Sequence, residues 1–235
     1  MKHILLTGVC FLLFGCRDSQ SAKGFMETGK AKAGANDYYG AIAYYTRAIE
    51  LKPDYAEAYY NRGFAKDNIQ DYTGELTDYT RAIELNPEYA EAYYSRGVTK
   101  NKFHDYTGEL ADYTRAIELN PEYAEAYYNS GVAKGLLKDY HGAIPDLTKA
   151  IELKPDYAEA YYIRGVTKGI LQDYYGEIAD YTSAIELKPD FAKAYHNRGV
   201  ARIRSGDRVK GCTDLRRAAS LGSTLGREAL RVYCD

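Results

Sequence analysis

Across residues 56–89, small and apolar residues return at steps of three and four. Ala56, Tyr59, Gly63 and Lys66 carry that spacing first, and Leu76, Tyr79, Ala82, Ile83 and Leu85 carry it again. Such steps keep one side of an α-helix turned to a core. Asp71-Tyr72-Thr73-Gly74 separates the two stripes with turn and capping residues. Pro87 closes the second stripe, because proline has no N–H to donate and disfavours helix in the residue before it. The pattern predicts two helices joined by a tight turn. Strand-like alternation does not occur in this stretch.

The same text recurs along the chain. Prolines stand at Pro53, Pro87, Pro121, Pro155 and Pro189, each 34 residues after the last. Ala48-Ile49-Glu50-Leu51-Lys52-Pro53 returns as Ala82-Ile83-Glu84-Leu85-Asn86-Pro87. A fixed period of this size predicts an all-α stack of helix-turn-helix units, each covering its neighbour's apolar face. The composition carries the same trace: 26 tyrosines against 6 phenylalanines and no tryptophan mean that an aromatic position is being copied.

The unit resembles the tetratricopeptide repeat. Counted from the first residue of each unit, that family marks an aromatic at position 4, glycine at 8, a small residue at 20, an aromatic at 24, alanine at 27 and proline at 32. Tyr59, Gly63, Tyr79, Ala82 and Pro87 fill these places in one unit, and Tyr93, Gly97, Tyr113, Ala116 and Pro121 in the next. The resemblance implies a right-handed superhelical solenoid of six repeats, at 22–55, 56–89, 90–123, 124–157, 158–191 and 192–225. Residues 226–235 would form a short C-terminal capping helix. Some positions depart from the family pattern. Glu75, Glu109 and Glu177 stand where a small residue is usual, and Leu147 takes the second aromatic place. Pro145, early in a second helix, predicts a local bend or a lost hydrogen bond. Gly211, Cys212 and Gly222 mark the sixth repeat as a loose terminal copy.

Charge adds a second pattern. Position 7 is Arg62, Arg96, Arg164 and Arg198, and position 23 of the same repeats is Asp78, Asp112, Asp180 and Asp214. Repeat four keeps the acid, Asp146, with Ser130 in place of arginine. Pairing within each repeat leaves fewer mismatches than pairing between neighbours, so a bridge joining the two helices of a repeat is expected. The net charge of −2 argues against a nucleic-acid partner, which selects for a basic face.

In the resembling family, positions 2, 5, 6, 9, 12 and 13 of the first helix face a concave groove. Position 5 supplies Tyr60, Tyr94, Tyr128, Tyr162 and His196, and position 6 supplies Asn61, Asn129 and Asn197, with Ser95 and Ile163 between. Position 2 supplies Glu57, Glu91, Glu125 and Glu159. The expected surface is a tyrosine ladder beside an asparagine ladder with an acidic edge. It would suit an extended peptide or a partner's loop, its lysines or arginines facing the glutamates. The same glutamates would also serve as a solvated face near helix N-termini. The lysine and asparagine that some members use to clamp a terminal carboxylate are not matched here.

The N-terminus reads as an address. Lys2 and His3 precede an apolar run from Ile4 to Phe14, and Leu13-Phe14-Gly15-Cys16 resembles a bacterial lipoprotein signal, with Phe14 larger than the pattern favours. That resemblance implies cleavage of residues 1–15, lipid on Cys16 and a tether of 16–21, on the periplasmic side and at the outer membrane where one exists. Cys212 and Cys234 leave two readings open, a disulfide stapling the tail or two unpaired thiols. No phosphate-cradling loop, metal-spaced cluster or nucleophile motif appears. The function expected is a non-catalytic protein-interaction scaffold at the cell envelope, without cofactor or metal. Self-assembly through stacked repeat ends is the alternative, and an accessory place in an envelope enzyme complex is a third.

Overall fold

A computed structural model describes residues 21–234, and thirteen α-helices supply the regular structure among them. The expected signal segment, Cys16 and the tether up to residue 20 lie outside the described residues. The chain divides into two compact units, one ending at Leu119 and the other beginning at Asn120. The first holds α1 (Ala22–Gly34), α2 (Tyr38–Leu51), α3 (Ala56–Asn68), α4 (Tyr72–Leu85), α5 (Ala90–Lys102) and α6 (Tyr106–Leu119). The second holds α7 (Ala124–Leu136), α8 (Tyr140–Leu153), α9 (Ala158–Ile170), α10 (Tyr174–Leu187), α11 (Ala192–Arg204), α12 (Arg208–Ser220) and α13 (Thr224–Tyr233). In each unit the helices pack as consecutive pairs, and the second helix of a pair also packs on the first helix of the next.

The turn inside each pair follows from three neighbouring residues. The residue before the cap adopts the left-handed backbone: Asn36, Gln70, His104, Lys138 and Gln172 have φ between 59° and 64°, and Gly206 takes the same place in the last pair. An aspartate then caps the second helix. Asp71 accepts from the Gly74 N–H at 3.0 Å, and Asp37, Asp105, Asp139 and Asp173 do the same for Gly40, Gly108, Gly142 and Gly176. Each such cap contributes about 1 kcal/mol. The first helices start differently, at Tyr55, Tyr89, Tyr123, Tyr157 and Phe191, with no side-chain cap bond.

The pairs close on a glycine. A Cβ on Gly63 would stand 2.8 Å from the Tyr79 ring, so the ring lies directly on the backbone of α3. Tyr79 and its counterparts Tyr45, Tyr113 and Tyr181 are buried as a result, and Leu147 and Leu215 fill the same place in α8 and α12. Between pairs, Ala82, Ile83 and Ala92 form a small core flanked by Tyr59, Tyr60, Tyr89 and Tyr93, and the set repeats around Ala150 and Ala184.

The sixth repeat, though a loose copy in sequence, packs closely: a Cβ on Gly211 would lie 2.7 Å from the Gly199 carbonyl oxygen, so α11 and α12 approach backbone to backbone. Pro145 sits inside α8 without ending it. Of the bend or lost hydrogen bond expected there, the lost bond follows, because proline has no N–H for a carbonyl in the preceding turn. At the C-terminus, α13 packs on α12, and a disulfide joins Cys212 to Cys234 with Cα atoms 5.8 Å apart.

A left-handed backbone at a lysine stores strain that glycine lacks. Lys138→Gly is expected to stabilise the protein by about 0.5–1 kcal/mol, read as a higher denaturation midpoint. An unchanged or lower midpoint would contradict this account of the turn.

Candidate binding surface

On α3 the residues Glu57, Tyr60, Asn61 and Phe64 fall at steps of three, one and three, and so form one stripe. The side chains of that stripe are partly spent inside the protein. The Tyr60 ring centroid lies 5.6 Å from Tyr79 and 4.9 Å from Tyr89. Tyr94 meets Tyr113 at 5.8 Å, Tyr128 meets Tyr157 at 4.8 Å, and Tyr162 meets Tyr181 and Phe191 at 5.7 and 4.9 Å. These tyrosines are half-buried. The asparagines are similarly engaged. Asn61 Nδ2 donates to the Glu57 carbonyl at 2.8 Å, and Asn197 Nδ2 donates to the Tyr162 and Tyr181 hydroxyls at 3.2 and 3.3 Å. Asn129 and His196 hold the matching half-buried places on α7 and α11.

The acidic edge differs from expectation. Lys30 pairs with Glu57 at 2.9 Å, Lys154 with Glu125 at 3.3 Å and Lys188 with Glu159 at 3.2 Å. The protein's own lysines therefore neutralise much of that edge. Glu91 is exposed, and in its repeat Asn120 replaces the lysine. The stripe also exposes apolar side chains: Phe64, Leu136 and Ile170 are 48%, 48% and 50% exposed, whereas position 13 of other repeats exposes Asn68, Lys102 and Arg204. The apolar three occupy positions 9 and 13, one and two turns beyond the tyrosine.

Beneath this surface the arginine–aspartate pairs form within each repeat as their positions predict. Arg62 Nε and Nη2 donate to the two Asp78 oxygens at 2.9 and 2.7 Å. Arg96–Asp112, Arg164–Asp180 and Arg198–Asp214 repeat the two-bond geometry. Two further partners were not read from the sequence. The Nη1 of each arginine donates to a threonine on the preceding second helix, Thr46, Thr80, Thr148 or Thr182. A cation one turn along also reaches the aspartate: Lys66, Lys100, Lys168 or Arg202, at 2.7 to 2.8 Å. The threonines recur at position 25, sixteen residues before each arginine, so the repeat carried that signal. In the fourth repeat Ser130 Oγ donates to Asp146 at 2.6 Å, and Lys134 completes the site.

Three glutamates are buried beside these pairs: Glu75, Glu109 and Glu177. Burial pushes all three carboxyls above the usual carboxylate range. Thr99 donates to Glu75 at 2.7 Å, whereas the Oε2 atoms of Glu109 and Glu177 have no hydrogen-bond partner. Among the described residues, no group of three or more His, Cys, Asp or Glu side chains could hold a metal ion, and no helix is long and apolar enough to cross a membrane.

Family profiles described as tetratricopeptide repeat match residues 56–89, 124–157 and 158–191, and a profile described as TPR repeat matches 29–66. The chain is built from tetratricopeptide repeats. No curated protein sequence matches it. Among solved structures, this repeat chain is similar to YrrB, at 24% identity and a TM-score of 0.71, over 80% of this chain and 97% of that one. MamA aligns at 26% identity and a TM-score of 0.66, over 68% and 94%. PilF of Pseudomonas aeruginosa aligns at 14% identity and 0.76, over 89% and 96%. The likeness to YrrB and PilF establishes the fold.

Removing Arg164 takes two charge-assisted bonds from Asp180 and leaves it Lys168 as its cation. Arg164→Met is expected to cost about 1.5–3 kcal/mol in chemical denaturation. Arg164→Ser should cost less, since a serine hydroxyl can bond Asp180 as Ser130 bonds Asp146. Equal losses would show that the hydrogen bond contributes nothing. Glu109 gives a pH prediction. Its folded-state pKa is raised, so the folded protein holds that proton more tightly, and stability falls as pH rises from about 4.5 through the folded value. Glu109→Gln is therefore expected to raise the melting temperature at pH 7 and to lose that advantage below pH 4.5. A pH-independent effect would contradict the burial argument.

Proposed function

We propose that this tetratricopeptide-repeat chain is a non-catalytic scaffold, anchored by lipid on Cys16 outside the cytoplasm, that docks a peptide or protein loop on its first-helix faces. The observation that carries the docking is the stripe itself. Half-buried rings packed at a tilt against their neighbours give rigid aromatic contact area, and Phe64, Leu136 and Ile170 are exposed on the same helix faces. Ordering such a surface has been completed in folding, so a partner gains contact with little further loss of side-chain freedom. With the glutamate edge paired to lysines, the docked segment is held by apolar and aromatic contact more than by charge along its length.

Two observations support the location. Leu13-Phe14-Gly15-Cys16 has the residue types of a lipoprotein signal, and the Cys212–Cys234 disulfide suits an oxidising compartment. The solved YrrB structure is described as having an unusual peptide-binding site, which is compatible with a peptide ligand here.

Crosslinked membranes from cells expressing the wild type, a Phe64→Ser, Ile170→Ser variant or a Tyr175→Ala control provide the test. Tyr175 is 85% exposed on the second helix α10, and exposed substitutions of this kind change stability by about 0.5 kcal/mol or less. The expected result is a discrete partner recovered with wild type and control and lost with the double variant. Equal recovery by all three overturns first-helix docking, and recovery of this chain alone favours self-assembly.

A further inference from the structure

The three buried glutamates occupy equivalent places in their repeats, yet their surroundings differ because the sequence differs. Around Glu75 stand Asp67, Thr99 and Lys102. Thr99 Oγ1 donates to Glu75 Oε1, and Lys102 Nζ lies 3.5 Å from Oε2. The same ammonium pairs with Asp67 and sits 4.0 Å from the Tyr72 ring centroid. The protein thus contains a lysine ammonium resting on a buried carboxylate beside an aromatic wall.

At the corresponding places around Glu177 stand Gly169, Ala201 and Arg204, with Tyr174 in register with Tyr72. Gly169 has no side chain to fill the space, and a Cβ there would meet the Glu177 carboxyl at 2.6 Å. Ala201 has no hydroxyl to donate. Arg204 is exposed at the rim and acts on the carboxylate through space, while Glu177, 6% exposed, keeps Oε2 without a hydrogen-bond partner. The vacancy is a cleft of ≈ 360 Å³ between α9, α10 and α11. Glu177, Tyr181, His196, Asn197 and Arg204 supply its polar lining, and Val166, Ile170 and Val200 its apolar walls. His196 Nδ1 is also buried without a partner, and desolvation holds the ring's pKa below its ordinary value, so the imidazole is neutral at pH 7. A neutral imidazole can accept at its unprotonated nitrogen.

An unmet carboxylate oxygen and an unpartnered imidazole nitrogen thus belong to residues that line one recess. Buried acceptors left without donors are costly, and a ligand that supplies donors relieves that cost. A carboxylate or phosphate would bring like charge to Glu177, and a purely apolar chain would leave its Oε2 unmet. We propose that this cleft receives the ammonium of a lysine side chain from a docked peptide, with Glu177 as its counter-charge and the valine and isoleucine walls along its methylene stem. The proposal rests on the reading that the first-helix face docks a peptide, and gives that peptide one defined anchor residue.

The test is a titration of the ¹⁵N-labelled chain with N-acetyl-lysine methylamide, followed by amide chemical shifts. N-acetyl-norleucine methylamide, which keeps the stem and lacks the ammonium, serves as the comparison. Saturable shifts at Gly169, Ile170 and Val200 are expected with the lysine probe. Binding should fall roughly ten-fold or more with the norleucine probe or with Glu177→Gln, whose amide keeps the carboxylate's shape. Equal affinity for the two probes, unchanged affinity in Glu177→Gln, or no saturable shift up to the solubility limit overturns the pocket. The crosslinking experiment separates this failure from failure of the docking reading. Partner recovery lost with Phe64→Ser, Ile170→Ser but full with Glu177→Gln leaves docking standing without the lysine anchor.

Discussion

A tyrosine ring lying on a helix backbone that has no side chain sets the distance between the two helices of a repeat. Gly63 under Tyr79 is one instance, and Gly29 under Tyr45, Gly97 under Tyr113 and Gly165 under Tyr181 are others. A methyl group in that gap would meet the ring below any ordinary contact distance. The close approach in turn lets Arg62 on one helix reach both oxygens of Asp78 on the other. With the pair formed, Nη1 of the same arginine is left to bond Thr46 on the preceding pair. One close contact therefore fixes the geometry within a repeat, and one guanidinium carries it to the next.

The same packing determines what remains for binding. Tyrosines at position 5 lie tilted against rings from the second helix or from the residue that closes the repeat, so they form a floor with limited freedom. Lysines fold back on the glutamates of the first turn. The residues left exposed are those one and two turns further along, which vary among the repeats: Phe64, Leu136, Ile170 and Arg204. The repeated positions make a common platform, and the varied ones give each repeat its own surface.

Much of this was legible in the sequence because repetition converts spacing into contact. The prolines gave the register, the Asp-x-x-Gly turns gave the second-helix caps, and matching Arg and Asp occurrences gave the right pairing. Other features were hidden for physical reasons. Gln70 and Lys138 carry a left-handed backbone that residue type does not advertise. The lysines that neutralise Glu125 and Glu159 lie 29 residues on in the sequence, a distance closed only by folding. Gly211 marked the sixth repeat as a departure from the family pattern, and only the structure shows that it admits the opposing backbone. Cys212 and Cys234 could not be paired by spacing alone, since geometry decides a disulfide.

The central claim is that the first-helix face, and not the second, is the working surface. A photoreactive phenylalanine analogue placed singly at Phe64, Ile170, Tyr39 or Tyr175 in living cells tests it most directly. The account predicts that irradiation yields a discrete crosslinked partner from the Phe64 and Ile170 positions, and none from Tyr39 or Tyr175 on the second helices. Adducts arising from Tyr39 and Tyr175 with none from Phe64 and Ile170 would contradict it.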